Sequence, residues 1–145
     1  MKEVHIYLYS TLKGGRKGRG VYTYILETAT SKGKATITKT EKVEDMTANK
    51  SVLCALTAAL KRIRQESYLV IYTDCHYLAA NTRDSLARWS RNGWKTARGE
   101  EIKNPEEWKE LHQLLMPHSF EFIVGDSHGY YQWMKTETEA EARCT

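Results

Sequence analysis

Apolar and polar positions change period several times along the chain, and each change marks an element. Residues 4–9 (Val-His-Ile-Tyr-Leu-Tyr) are β-branched and aromatic with partial alternation, which predicts a first strand. Residues 21–29 predict a second strand, and 34–43, where Thr, Ile and Val alternate with Lys and Glu, a third. Ser31-Lys32-Gly33-Lys34 between them reads as a turn, because glycine supplies the positive φ a hairpin needs. The period then switches. Val52, Ala55, Leu56, Ala59, Leu60 and Ile63 recur at i, i+3, i+4 spacing, predicting a helix over 49–65 with Thr47 or Asn49 as N-cap. Tyr68 to Thr73 is a nearly continuous apolar run, as expected of a strand buried on both faces, and Asp74 ends it. Helical segments are predicted at 75–91 and 105–116, the second opened by Pro105. Residues 120–124 predict a fifth strand and 130–142 a terminal helix. Such an order belongs to a mixed α/β domain.

Composition narrows the class. A chain of 145 residues suits one domain spanning 1–145. At 41% hydrophobic and 28% charged it is neither disordered nor membranous in composition. No apolar run approaches the roughly 18 residues that span a bilayer, and no secretory leader is expected at Met1-Lys2-Glu3-Val4-His5. Cys54, Cys75 and Cys144 fit neither a disulfide framework nor a zinc site, so reduced thiols and a cytoplasmic location are expected. The formal charge of +4 is mild, but it is clustered. Lys13, Arg16, Lys17 and Arg19 sit among four glycines in a loop where backbone amides and cations can approach phosphates. That loop matches neither a P-loop nor a dinucleotide fingerprint. A second basic stretch sets Arg83, Arg88, Arg91, Lys95 and Arg98 around Trp89 and Trp94, with Asp84 its one acid. There the arginines and lysine are expected to meet phosphates, with the tryptophans as base-stacking partners or as a packed spine.

Particular runs carry a family resemblance. Tyr72-Thr73-Asp74-Cys75-His76-Tyr77 resembles the Thr-Asp-Ser-x-Tyr signature of the ribonuclease H family. Gly93-Trp94-Lys95-Thr96 followed by Lys103-Asn104-Pro105-Glu106-Glu107-Trp108 resembles its basic handle and the helix after it. Thr47-Ala48-Asn49-Lys50 resembles the phosphate-contacting turn before its first helix. The resemblance covers roughly residues 4–140. It implies the ribonuclease H-like α/β fold: a five-stranded mixed sheet in the order 3-2-1-4-5 with helices on both faces. It also implies that Thr47 and Asn49 contact a phosphate and a base edge or sugar, and that His76 lies near an RNA 2′-hydroxyl.

The chain departs from the family where the chemistry lives. The resemblance implies two-metal hydrolysis, in which carboxylates from the first strand, first helix, fourth strand and last helix hold divalent ions. Those positions carry Tyr9, Val52, Asp74 and, near the last, Thr136 with Lys135 beside it. Only Asp74 is an acid. The expectation is therefore a catalytically degenerate homologue that binds RNA/DNA hybrid or duplex nucleic acid, with no cofactor. One alternative is an active nuclease that holds Mg or Mn on displaced ligands, Asp74, Asp126 and Glu137 (or Glu139), with His128 nearby. Another is a protein-interaction module reusing the fold. Asp74 also suits the N-cap of the helix after it.

Overall fold

The computed structural model describes residues 1–144. In chain order the elements are β1 (Lys2–Ser10), β2 (Gly18–Thr30), β3 (Gly33–Met46), α1 (Ala48–Leu60), β4 (Ser67–Thr73), α2 (His76–Asp84), α3 (Leu86–Arg91), α4 (Pro105–Leu115), β5 (Ser119–Val124) and α5 (Tyr131–Arg143). The strands form one sheet in the order β3-β2-β1-β4-β5. The β3–β2 and β2–β1 pairings are antiparallel, and β1–β4 and β4–β5 are parallel. This is the architecture expected from the sequence.

The pleat of β1 distributes the core. Successive strand side chains point to opposite faces. Val4, Ile6 and Leu8 therefore enter the larger cluster, with Leu53, Leu56 and Leu60 of α1 and Trp108 and Leu111 of α4. Tyr7 and Tyr9 enter a second cluster on the opposite face, with Ile25 and Met134 of α5. Helices thus cover both faces, and β1 lies between them. Trp108 is completely buried, and its indole N–H donates to the Tyr77 hydroxyl at 3.2 Å. Truncating a buried tryptophan of this kind to alanine typically costs about 3–5 kcal/mol.

Boundaries shift where local geometry overrides periodicity. α1 ends at Leu60, not 65: the amides of Arg62 and Ile63 donate to the carbonyls of Ala59 and Leu60, three residues back, tightening and closing the last turn. The segment predicted as one helix over 75–91 bends at Ser85 into α2 and α3. The bend keeps Leu78, Ala79, Leu86 and Trp89 all on the buried side. β2 begins at Gly18, earlier than expected, because Gly20 lets the chain close over Leu12. A Cβ at Gly20 would lie 2.5 Å from Leu12 Cγ.

Candidate functional site

β1 and β4 run parallel, with Tyr7 opposite Tyr72, so Tyr9 and Asp74 reach their carboxyl ends at the same level. The N-terminus of α1 closes this end from one side. Thr47 is its N-cap, its hydroxyl accepting from the Lys50 amide at 3.2 Å. Ser51 and Ser10 join through their hydroxyls at 2.6 Å, tying α1 to β1. The glycine-rich loop is pinned to the same place, since the Ala48 amide donates to the Gly14 carbonyl at 3.4 Å. Between these parts lies an open cleft lined by Ser10, Leu12, Lys13, Gly14, Ala48, Val52, Asp74 and Cys75.

Tyrosines and one acid occupy the floor of this end. The Tyr131 hydroxyl donates to Asp74 Oδ2 at 2.8 Å. Asp74 therefore accepts from α5 and does not cap α2, whose N-cap is Cys75 with no side-chain bond. Tyr9 is 1% exposed and meets the Tyr131 ring edge-on at 5.7 Å. Burial, followed by the charges of Glu139 and Asp74, pushes the Tyr9 phenol up to about 12. Burial and the Asp74 bond also raise Tyr131. Both phenols stay protonated near neutrality, so they act as hydrogen-bond donors and not as anionic ligands. Val52 is 5% exposed and contributes only apolar surface.

Beside this floor runs an aromatic stack. Tyr7 and Tyr72 lie nearly parallel at 4.3 Å, and Tyr130 meets Tyr7 edge-on at 4.8 Å. The His5 ring is 2.8 Å from the Tyr72 hydroxyl through Nδ1. His128 packs against Tyr7 and Tyr72, its Nδ1 accepting from the Tyr130 amide at 3.2 Å. Its Nε2 is buried with no hydrogen-bond partner, and burial holds its pKa below the usual histidine range. At the far end Tyr130 donates to the carboxylate of Glu27, which is itself only 6% exposed.

α5 does not present the residues expected of it. Met134 and Thr138 face the sheet, and Thr138 bonds Thr23 at 2.7 Å. At 100° per residue, the stripe carrying Tyr131 and Glu139 toward Asp74 and Tyr9 passes through Lys135. Thr136, expected near the last acid position, lies exposed on the other side, and Glu137 is exposed as well. Asp126 is exposed in the loop after β5. The trio Asp74, Asp126 and Glu137 is not assembled: among the described residues no group of three His, Cys, Asp or Glu could hold a metal ion.

Of the basic residues, Lys13 lines the cleft. The Lys13 ammonium lies over the Tyr9 ring, 5.4 Å from its centroid. Arg16 and Lys17 are exposed, and Arg19 makes a surface ion pair with Glu44 at 3.9 Å. The Asn49 carbonyl oxygen accepts from Cys75 Sγ at 3.6 Å, and His76 stands exposed at the start of α2. Arg88, Arg91 and Lys95 are exposed on the handle. The handle tryptophans pack into the protein, Trp89 fully and Trp94 in part. Trp89 is 9% exposed and edge-on to Trp108 at 5.3 Å, and Trp94 packs against His112 at 5.8 Å. They form the spine from which the cations project. Sequence reasoning missed the stack and the Tyr131–Asp74 bond. The available signal was nine tyrosines against two phenylalanines, with His5, Tyr7 and Tyr9 on one face of a strand.

No helix among the described residues is long and apolar enough to cross a membrane. Similar structures include LC9-RNase H1, a type 1 RNase H with the type 2 active-site motif, with a TM-score of 0.79 at 20% identity, covering 99% of this chain and 73% of that one. LC11-RNase H1 in complex with RNA/DNA hybrid superposes with a TM-score of 0.62 at 14% identity, covering 97% of this chain and 99% of that one. At these identities the likeness is one of fold. Among curated proteins, the ribonucleases H of Francisella tularensis subsp. novicida and Francisella philomiragia are each 38% identical over 76 residues, 52% of this chain and 50% of theirs. The chain thus spans about half the length of the curated relatives it matches. The RNase H family model matches residues 2–131, taking in the sheet, α1 to α4 and the start of α5. The chain belongs to the ribonuclease H family.

Proposed function

We propose that this protein binds RNA/DNA hybrid or duplex nucleic acid through its basic loop, the turn before α1 and the handle, without cleaving it. The observation that carries this reading is the chemistry of the cleft. Family catalysis rests on carboxylates that share two divalent ions. Such ions need several oxygen ligands, mostly anionic. Here, among the described residues, Asp74 is the one acid lining the cleft and already accepts from a tyrosine, while the charge of Glu139 bears on Tyr9. Tyr9 is a protonated phenol, Val52 is apolar, and a lysine ammonium stands at the rim. This donor set does not fit Mg or Mn. The cations that would meet phosphates remain: Lys13, Arg16, Lys17 and Arg19 on the loop, Arg88, Arg91 and Lys95 on the handle. Thr47 and Asn49 stand at the start of α1 and His76 at the start of α2. In this reading residues 1–145 act as one domain of a cytoplasmic binding protein, with no cofactor.

Incubation with labelled RNA/DNA hybrid and Mg²⁺ or Mn²⁺, with Asp74→Asn in parallel, tests it. The expected result is intact hybrid in both reactions, retained on the protein at low salt. Cleavage by the parent chain that disappears in Asp74→Asn would establish a working metal site and overturn the reading. Failure to retain hybrid, duplex or single strands at low salt would overturn it in favour of protein interaction.

A further inference from the structure

Lys13 is placed unlike the other loop cations. Lys13, Arg16 and Lys17 are all exposed and Arg19 is paired with Glu44, but Lys13 lies over the face of Tyr9. An aromatic face attracts an ammonium and fixes its position without neutralising it. Among the described residues Lys13 pairs with no carboxylate. The ring that holds it stands on the first strand, level with Asp74, and Lys13 lines the cleft together with Asp74. The loop that carries it is anchored at Gly14 to the first residue of α1. A nucleic-acid backbone crossing this cleft meets the carboxylate of Asp74, which repels phosphate, so a fixed positive charge is required beside it.

Resting on the binding function above, we infer that Lys13, held on Tyr9, supplies the cation for a backbone phosphate in this cleft, so that nucleic acid is engaged there without divalent metal. Arginines of the handle grip the strand some distance away, and Lys13 sets the phosphate nearest Asp74. The chain has exchanged a metal-bound phosphate for an ammonium-bound one. Tyr131 takes part indirectly by donating to Asp74 and spreading its charge.

Fluorescence anisotropy with a labelled RNA/DNA hybrid, in EDTA and in Mg²⁺ at matched ionic strength, tests this. Parent affinity is expected to survive EDTA undiminished. Lys13→Gln should weaken binding roughly tenfold and lower the slope of log affinity against log salt by about 1, the mark of one lost phosphate contact. Lys13→Arg should retain most of the affinity. Lys32→Gln removes the same charge at the β2–β3 turn, roughly 25 Å away along β2 from the level of Tyr9, and should change nothing. If parent binding needs Mg²⁺, the inference fails. If Lys13→Gln binds like the parent while Arg88→Gln loses affinity, Lys13 is wrongly assigned and the binding function stands. If the parent chain binds no hybrid at low salt, both fall together.

Discussion

His128 shows how one residue sets a pH limit on the fold. Its ring is packed among Tyr7, Tyr72 and Tyr131, with Nε2 buried and unpartnered, so the folded chain resists protonating it. Its pKa is lowered from 6.5 by burial, against the opposing pull of Asp74 and Asp126. The unfolded chain therefore takes up the proton first. The stability is fully present above pH 6.5 and is lost as pH falls below it toward the lowered folded value. Denaturant melts of the parent chain and His128→Asn should show a steeper acid decline in the parent. Equal slopes would mean that His128 stays solvated. Gly20 sets a steric limit of a different kind: with Leu12 Cγ 2.5 Å from where a Cβ would stand, Gly20→Ala is expected to cost about 1–3 kcal/mol by overpacking. A midpoint unchanged in thermal melts would show that Leu12 simply swings aside.

Among the elements, α1 was legible in nearly every respect and α5 was not. The period of Val52, Ala55, Leu56, Ala59 and Leu60 fixes which face of α1 is buried, and Thr47 before it marks the start. Thr47→Ala should destabilise the chain by about 1 kcal/mol through the lost cap, measured as a shift in the denaturant midpoint at constant slope. α5 carries only Met134 and Thr138 as buried residues, too few to fix its rotation. A shift of one position exchanges Thr136 for Lys135 on the stripe that carries Tyr131 and Glu139, so the rotation of α5 awaited the packing of Tyr131. For the handle tryptophans the sequence left two roles open, base stacking or a packed spine, and Trp89 is packed. Exposed and buried tryptophan look alike in a sequence, and what buried Trp89 was the distant Trp108.

For the whole molecule, the arrangement of charge matters more than its sum. The net +4 is small, yet among the described residues Lys13, Arg88, Arg91 and Lys95 are exposed and outside the ion pairs, while Lys61, Lys109 and Lys50 pair with acids of α4. Hybrid affinity should fall steeply with salt, and Arg88→Gln and Arg91→Gln should each flatten the log–log slope by about 1. Salt-independent binding in the same titration would remove the phosphate grip from the account.

Local pattern alone determined the strand and helix order and the parallel character of β4, whereas the reading of Tyr9 and Val52 as standing at acid positions came from the family resemblance. Order and strand character depend on neighbours a few residues apart, which propensity and periodicity encode directly. Tertiary structure decided what surrounds Asp74: a phenol held protonated by burial, a second tyrosine bonded to it from 57 residues away, and a lysine held over an aromatic face. Burial, orientation and charge environment are properties of elements brought together from distant parts of the chain. No spacing in the sequence records them.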